Sequence, residues 1–224
     1  MFNIGKSVVI ICDGVFPRKE YPRYLIQKAD YIACCDGAFD IYLKKMESIF
    51  GGERLPDLVI GDMDSINPRL KKEYAELMVC VENQDNNDQT KAVEFVMENV
   101  ADIREIYILG ATGKREDHTI GNISLLMEYM NKYKLEEREI NITMISDYST
   151  IIPISNSISL DCGIGRKISI FTPDPSLRIK SQGLVWPLDD VIFDNWWKAS
   201  LNTSSSDRIH LDFSHKSIAI VIMD

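Results

Sequence analysis

Apolar residues along the first two thirds of the chain fall into two kinds of run. Short runs rich in Val and Ile predict strands at Ser7–Cys12, Tyr31–Cys35, Leu58–Gly61, Met78–Val81, Glu105–Leu109 and Ile140–Ile145. Between them lie segments whose apolar residues recur at three- and four-residue steps. After Asp88, which reads as an N-cap, Ala92, Val93, Val96, Met97 and Val100 mark one helical face. After Asp117, Ile120, Ile123, Leu126, Met127 and Met130 mark the face of a second amphipathic helix. Strands that alternate with helices predict an α/β domain over residues 1–147, with a Rossmann-like, largely parallel sheet.

From Thr150 onward the pattern changes to short apolar runs broken by Asn, Gly and Pro. These predict strands at Ile151–Ile154, Ser157–Leu160, Lys167–Phe171, Ser176–Ile179, Val191–Phe193, Arg208–Phe213 and Ser217–Met223. With no convincing helix among them, residues 148–224 read as an all-β sandwich.

Composition narrows the chemistry. The 224 residues are 45% hydrophobic and 26% charged, an ordinary globular mix, and the net charge of -9 argues against a nucleic-acid or anionic-membrane surface. Metal ions or cationic small molecules fit that charge better. The five cysteines contain no CxxC spacing, so neither a disulfide framework nor a zinc ribbon is indicated. The apolar run Val8–Cys12 stops at Asp13, too short for a signal-peptide core, and no stretch reaches the roughly 20 apolar residues of a membrane span. A cytoplasmic protein without a membrane partner is expected.

Several predicted strands end in an acid or a glycine, at Cys12-Asp13-Gly14, Cys35-Asp36-Gly37, Gly61-Asp62-Met63-Asp64 and Leu109-Gly110. The carboxyl ends of parallel strands line the ligand crevice of an open α/β sheet. Acids gathered there repel one another unless a cation sits between them, and a hard divalent ion with oxygen ligands meets that need. In an extended segment, Asp62 and Asp64 would face the same side and serve one ion together. The polar run Gln84-Asp85-Asn86-Asn87-Asp88 precedes a helix N-terminus, whose free N–H groups suit phosphate. A capped helix after a polar turn is the simpler reading of that run alone.

A second cluster, Gly110-Ala111-Thr112-Gly113-Lys114-Arg115-Glu116-Asp117-His118, combines a glycine turn, two cations and a helix start, as an anion cradle would. It is not a Walker A loop, because two residues rather than four separate the glycines and Arg115 follows Lys114. In the β region, Gly183-Leu184-Val185-Trp186-Pro187-Leu188 and Asn202-Thr203-Ser204-Ser205-Ser206-Asp207 offer an aromatic ring with small hydroxyls and amides. A core Trp with a polar hairpin loop explains the same residues. Trp196 and Trp197 read as packing residues, and His210 and His215 carry no spacing signal.

The ordered series of Asp36 in Cys-Asp-Gly-Ala, Gly61-Asp62-Met63-Asp64-Ser65, Gln84 through Lys91, Gly113 through His118, and the late Trp186 and Asn202 segments resembles the thiamine pyrophosphokinase family. That resemblance implies a homodimer with active sites at the subunit interface, and ATP-dependent transfer of pyrophosphate to thiamine. By motif it implies a Mg2+ site at Asp36, Asp62, Asp64 and Asp88, with Asp62, Asp64, Asp88 and Arg115 carrying the chemistry. It implies ATP contacts from Asp36, Thr90, Lys91, Thr112, Lys114, Arg115, Asp117 and His118, and thiamine contacts from Gln84, Trp186, Asn202, Ser204 and Ser205. The chain departs from the family pattern in reading Ser204-Ser205-Ser206 where an Asn is expected shortly after the Ser. Competing readings are a pyrophosphokinase for another hydroxymethyl heterocycle such as a pterin, a phosphatase or phosphotransferase with a nucleophilic Asp62, and a non-catalytic nucleotide sensor.

Overall fold

The computed structural model describes residues 5–224. Two compact units emerge, one running through Leu125 and including Glu137–Asp147, the other combining Leu126–Glu136 with Tyr148–Asp224.

The first unit contains strands β1 (Lys6–Ile11), β2 (Tyr31–Cys35), β3 (Leu58–Gly61), β4 (Met78–Cys80), β5 (Ile103–Leu109) and β6 (Asn141–Ile145). They pair in parallel in the order β6-β5-β1-β2-β3-β4. Val8, Val9, Ile10 and Ile11 are wholly buried, as expected of a parallel strand covered on both faces. The chain moves outward from β1 through β4 and then returns to the other side of β1 as β5, so the strand order reverses between β1 and β5. The loops after these two strands meet there, where the Gly14 N–H donates to the Gly110 carbonyl at 2.5 Å. Gly110 has φ +64 and a Cβ on it would lie 2.6 Å from the Cys12 carbonyl, so glycine is required at this crossing.

Helices α1 (Glu20–Lys28), α2 (Asp36–Phe50), α3 (Pro68–Glu73), α4 (Asp88–Asn99) and α5 (Glu116–Lys132) connect the strands. Helix α2 ends on left-handed Gly51, whose N–H bonds to the Glu47 carbonyl. Helix α4 begins one residue differently from expectation: Asn87 is the N-cap, its side chain accepting from the Thr90 N–H, and Asp88 is the first helical residue. The predicted face of α5 is also rotated. Asn122, Leu126 and Tyr129 are buried, whereas Ile120 is 52% exposed. Asn122 takes an inward position because its side chain donates to the Ala111 carbonyl and accepts from Asn87. No helix among the described residues is long and apolar enough to cross a membrane.

The second unit holds β7 (Thr150–Ile154), β8 (Ile158–Asp161), β9 (Lys167–Phe171), β10 (Ile179–Gln182), β11 (Ala199–Thr203), β12 (Arg208–Phe213) and β13 (Ala219–Met223). They form two antiparallel sets, β11-β9-β13-β7 and β10-β12-β8. Ile168 and Ile170 from one set share an apolar cluster with Ile209, Leu211 and Phe213 from the other, which is the inward alternation of a sandwich. Three expectations fail here. Residues 191–193 are not a strand, since the Val191 N–H turns back to the Leu188 carbonyl. The run predicted at Ser176–Ile179 contributes only Ile179, the first residue of β10. Strand β11 was not predicted, because Ser200, Asn202 and Thr203 read as loop and the pairing with β9 is broken between Ala199 and Asn202, where Leu201 has φ 59. Trp196 and Trp197 are 60% and 65% exposed, and Trp196 packs edge-on to the Phe171 ring at 6.4 Å.

A glycine beneath the crevice offers a direct test of packing. A Cβ on Gly61 would stand 2.5 Å from Asp36 Cγ, and that carboxylate is fixed by the Gly37 and Met63 N–H groups. Gly61→Ala is expected to cost about 1–3 kcal/mol, seen as a lower urea midpoint with an unchanged slope.

Candidate functional site

The loops after β1 and β5, together with residues 84–91 at the start of α4, enclose a cleft of about 700 Å³ in the first unit. Asp13, Asp62 and Asp88 bring carboxylates to its lining, and Lys91, Lys114 and Arg115 bring cations. Gln84, Thr112 and His118 also line it.

The acids are held differently. Asp36, the first residue of α2, is only 3% exposed and lies outside the lining; its oxygens accept from the Gly37 N–H at 2.6 Å and the Met63 N–H at 3.0 Å. Burial, followed by the negative charge of Asp88, raises its carboxyl above the usual range, with Asp62 adding to the effect. Asp62 is half-buried and lowered, chiefly by accepting from the Asp64 N–H at 3.1 Å and then from Gln84 Nε2 at 3.2 Å. This bond corrects the Asp-x-Asp expectation. Met63 is left-handed with φ 67 and buries its side chain, so the segment is a turn rather than an extended strand. Asp64 is exposed and does not line the cleft.

Asp88 accepts an ion pair from Lys91 Nζ at 3.1 Å, with the lysine side chain 3% exposed and the aspartate 38%. Lys91 is therefore a buried cation at the cleft wall. Thr90 is buried in α4, its N–H on the Asn87 cap, and does not line the cleft. No group of three or more His, Cys, Asp or Glu side chains among the described residues is arranged to hold a metal ion, so the four expected carboxylates do not converge as one set. The two that reach the cleft, Asp62 and Asp88, still suit a hard ion that takes most of its ligands from water and phosphate. A cation there would also offset the negative charge of Asp88 and Asp62 that, after burial, raises the Asp36 carboxyl.

Across the cleft, Lys114 Nζ lies 2.6 Å from Asp13 Oδ1, an acid noted at a strand end but not assigned a role by motif. Arg115 forms a fork with Asp117 through Nε and Nη2, at 3.1 and 2.5 Å. The Asp117 carboxylate also accepts from the His118 N–H and lies outside the lining, so its part is to hold Arg115. The Arg115 hydrogen bond is the largest cause that lowers the Asp117 carboxyl to about 2. A depressed carboxylate contributes stability above its unfolded value of about 3.9, and this contribution is lost as pH falls through the folded value. Carbon-13 titration is expected to place the Asp117 midpoint near 2 and, in Arg115→Ala, to move it toward the ordinary range.

Gln89 and Asn122 also belong to this cleft and were missed by motif reading. Gln89 Nε2 donates to the Asn122 carbonyl at 3.1 Å, tying α4 to α5, and the signal in sequence is a polar residue at a core-facing helical position.

In the second unit, Trp186 is 59% exposed and lines a smaller recess of about 240 Å³ with Leu188, Lys198 and Asn202. Asn202, in β11, is buried and clamps the Trp186 backbone, accepting from its N–H at 3.2 Å and donating to its carbonyl at 2.6 Å. Ser204 is 2% exposed; its hydroxyl donates to the Gly163 carbonyl and accepts from the Arg166 N–H. Ser205 is exposed, with its N–H on the Gly183 carbonyl, and neither serine lines the recess. The serines thus shape the loop, while Trp186 presents the open aromatic surface.

Comparison with known proteins matches both regions. Residues 22–137 fit the family described as thiamin pyrophosphokinase, catalytic domain, and residues 150–219 fit thiamin pyrophosphokinase, substrate-binding domain. The chain is 30% identical over 204 residues to thiamine pyrophosphokinase 1 of Oryza sativa subsp. japonica, an alignment that covers 81% of this chain and 74% of that protein. Its fold resembles the crystal structure of thiamine pyrophosphokinase from Bacillus subtilis with a TM-score of 0.75 and 22% identity, covering 98% of this chain and 99% of that one. A thiamin pyrophosphokinase from Candida albicans superposes with a TM-score of 0.76 at 17% identity, covering 98% of this chain and 88% of the other.

Proposed function

The chain belongs to the thiamin pyrophosphokinase family of transferases, and on that premise we propose that it transfers the pyrophosphoryl group of ATP to the hydroxyl of thiamine, giving thiamine diphosphate and AMP. The observation that carries this reading is the cleft at the strand reversal, where the carboxylates of Asp13, Asp62, Asp85 and Asp88 and three cations face one space beside the N-terminus of α4. The phosphate chain of ATP needs such cations, and Lys114, Arg115 and Lys91 would bind it at the positive N-terminal end of α4. Thr112 and His118 would border it. Mg2+ would be held by Asp62 and Asp88 and would supply charge compensation on the phosphate oxygens.

The hydroxyl oxygen of thiamine attacks the β-phosphorus, its proton passing to solvent, and the bond from that phosphorus to the α,β-bridging oxygen breaks, releasing AMP. Most of the catalysis is positioning and electrostatics. The Asp117 fork holds the Arg115 guanidinium in one orientation before substrate arrives. Asp36 would support the site from beneath by fixing the Met63 turn that presents Asp62. Gln84, already bonded to Asp62, would meet the substrate hydroxyl side.

Thiamine carries a thiazolium cation, which matches both the acidic net charge and an open indole face at Trp186. A cation over an exposed indole gains about 0.5–1 kcal/mol. Trp186→Ala is therefore expected to raise the KM for thiamine about 2- to 5-fold, with little change in the KM for ATP. We infer the homodimer of the family and a cytoplasmic location as parts of the same reading. The pterin, aspartyl-phosphate and sensor readings have no family match in their favour. The reaction is tested by AMP release from purified protein with ATP, Mg2+ and thiamine, each omitted in turn. AMP that requires all three supports the proposal, and AMP that forms without thiamine or with a pterin in its place opposes it.

A further inference from the structure

We propose that Cys12 and Cys35 form a two-thiolate binding site, at the cleft wall, for a soft divalent cation of the zinc and cadmium class. The register of β1 on β2 creates the pair. Ile11 lies beside Cys34, so the next residue on each segment is also a neighbour, on the opposite face of the sheet. Ile11 and Cys34 enter the apolar cluster of the first unit, while Cys12 and Cys35 line the cleft as free thiols. Their sulfurs stand 3.9 Å apart. Two sulfurs about 2.3 Å from one tetrahedral zinc are separated by about 3.8 Å, so the pair already has the required bite.

An oxygen donor adjoins the sulfurs: Gln89 Oε1 is 4.0 Å from Cys12 Sγ. That oxygen and water complete a tetrahedron around an ion held by the two sulfurs. Each thiol releases its proton to solvent as its sulfur binds, and no atom changes oxidation state. Thiolates favour soft ions and carboxylates with water favour hard ones, so this site and a Mg2+ site at Asp62 and Asp88 select different metals within one cleft. Binding at the sulfurs does not depend on which nucleotide or acceptor the cleft takes.

The test titrates Cd2+ into the reduced protein carrying Cys80→Ser and Cys162→Ser, which removes the two more accessible thiols, in the presence of millimolar Mg2+ and without ATP. The expected result is one Cd2+ per chain with the ultraviolet absorption of cadmium–thiolate bonds. Adding Cys12→Ser or Cys35→Ser should weaken binding at least tenfold and remove most of that absorption, with an unchanged circular dichroism spectrum. In the unaltered chain, Cd2+ should protect Cys12 and Cys35 from alkylation, read by peptide mass, which keeps the test valid if a serine variant does not fold. Absence of Cd2+ binding, binding unchanged when both sulfurs are replaced, or alkylation at both positions despite bound Cd2+ would overturn the proposal.

Discussion

Asp62→Asn is expected to lower turnover by about 10²- to 10⁴-fold, corresponding to several kcal/mol of lost transition-state stabilisation. The substitution is nearly isosteric. Asn keeps an oxygen to accept the Asp64 N–H, which Asp62 Oδ1 accepts at 3.1 Å, so the turn through left-handed Met63 should persist. What disappears is the negative charge at the cleft. Thermal stability should therefore change by only about 1 kcal/mol, because Asp62 is half-exposed and the substitution loses only the bond accepted from Gln84 Nε2. Steady-state kinetics with a Mg2+ titration separates the outcomes, since a metal-binding role shifts the Mg2+ dependence together with kcat.

Asp88 should show the second large effect, split between stability and activity by the choice of substitution. Lys91 is 3% exposed at its side chain and its ammonium rests on Asp88 Oδ1. Asp88→Leu leaves that cation buried without its counter-charge, a change that costs about 3–5 kcal/mol for fully buried pairs. Because Asp88 itself is 38% exposed, water reaches the vacated side and a loss near about 2–3 kcal/mol is expected. Asp88→Asn retains an oxygen for Lys91 Nζ and should cost about 1 kcal/mol. Both variants should lose turnover comparably to Asp62→Asn. Urea denaturation of the pair, set beside their kinetics, distinguishes a cleft carboxylate from a merely structural one: a structural Asp88 predicts that Asp88→Asn retains nearly full activity.

The parallel sheet was legible because burial on both faces demands continuous apolar runs, and Val8–Ile11 or Leu58–Ile60 leave little alternative. Strand β11 was illegible for the opposite reason. It is paired on one side only, interrupted at Leu201, and its Ser, Asn and Thr side chains serve local hydrogen bonds rather than a core. Helix α5 was found but turned about its axis, since apolar spacing alone ranked Ile120 above Asn122. The inward Asn is specified by partners in two other segments, Ala111 and Asn87, which no local pattern contains.

The candidate site divides in the same way. Acids and cations at strand ends identified the cleft by residue type, and Asp62, Asp88, Lys91, Lys114 and Arg115 all line it. Their arrangement depended on backbone conformation. Met63 in the left-handed region separates Asp62 from Asp64, and the sequence Asp-Met-Asp gives no sign of that φ. Likewise, a run of three serines does not reveal that Ser204 spends its hydroxyl on Gly163 and Arg166 while Ser205 stays exposed.

The central claim is transfer of a pyrophosphoryl group, as distinct from a single phosphoryl group, to thiamine. It is tested most directly by incubating the protein with thiamine, Mg2+ and ATP labelled with oxygen-18 at the non-bridging oxygens of the β- and γ-phosphates, then weighing the products. The account predicts thiamine diphosphate carrying both labelled phosphates, in equal amount to unlabelled AMP. Thiamine monophosphate with ADP, or unmodified thiamine after ATP has been consumed, would contradict it.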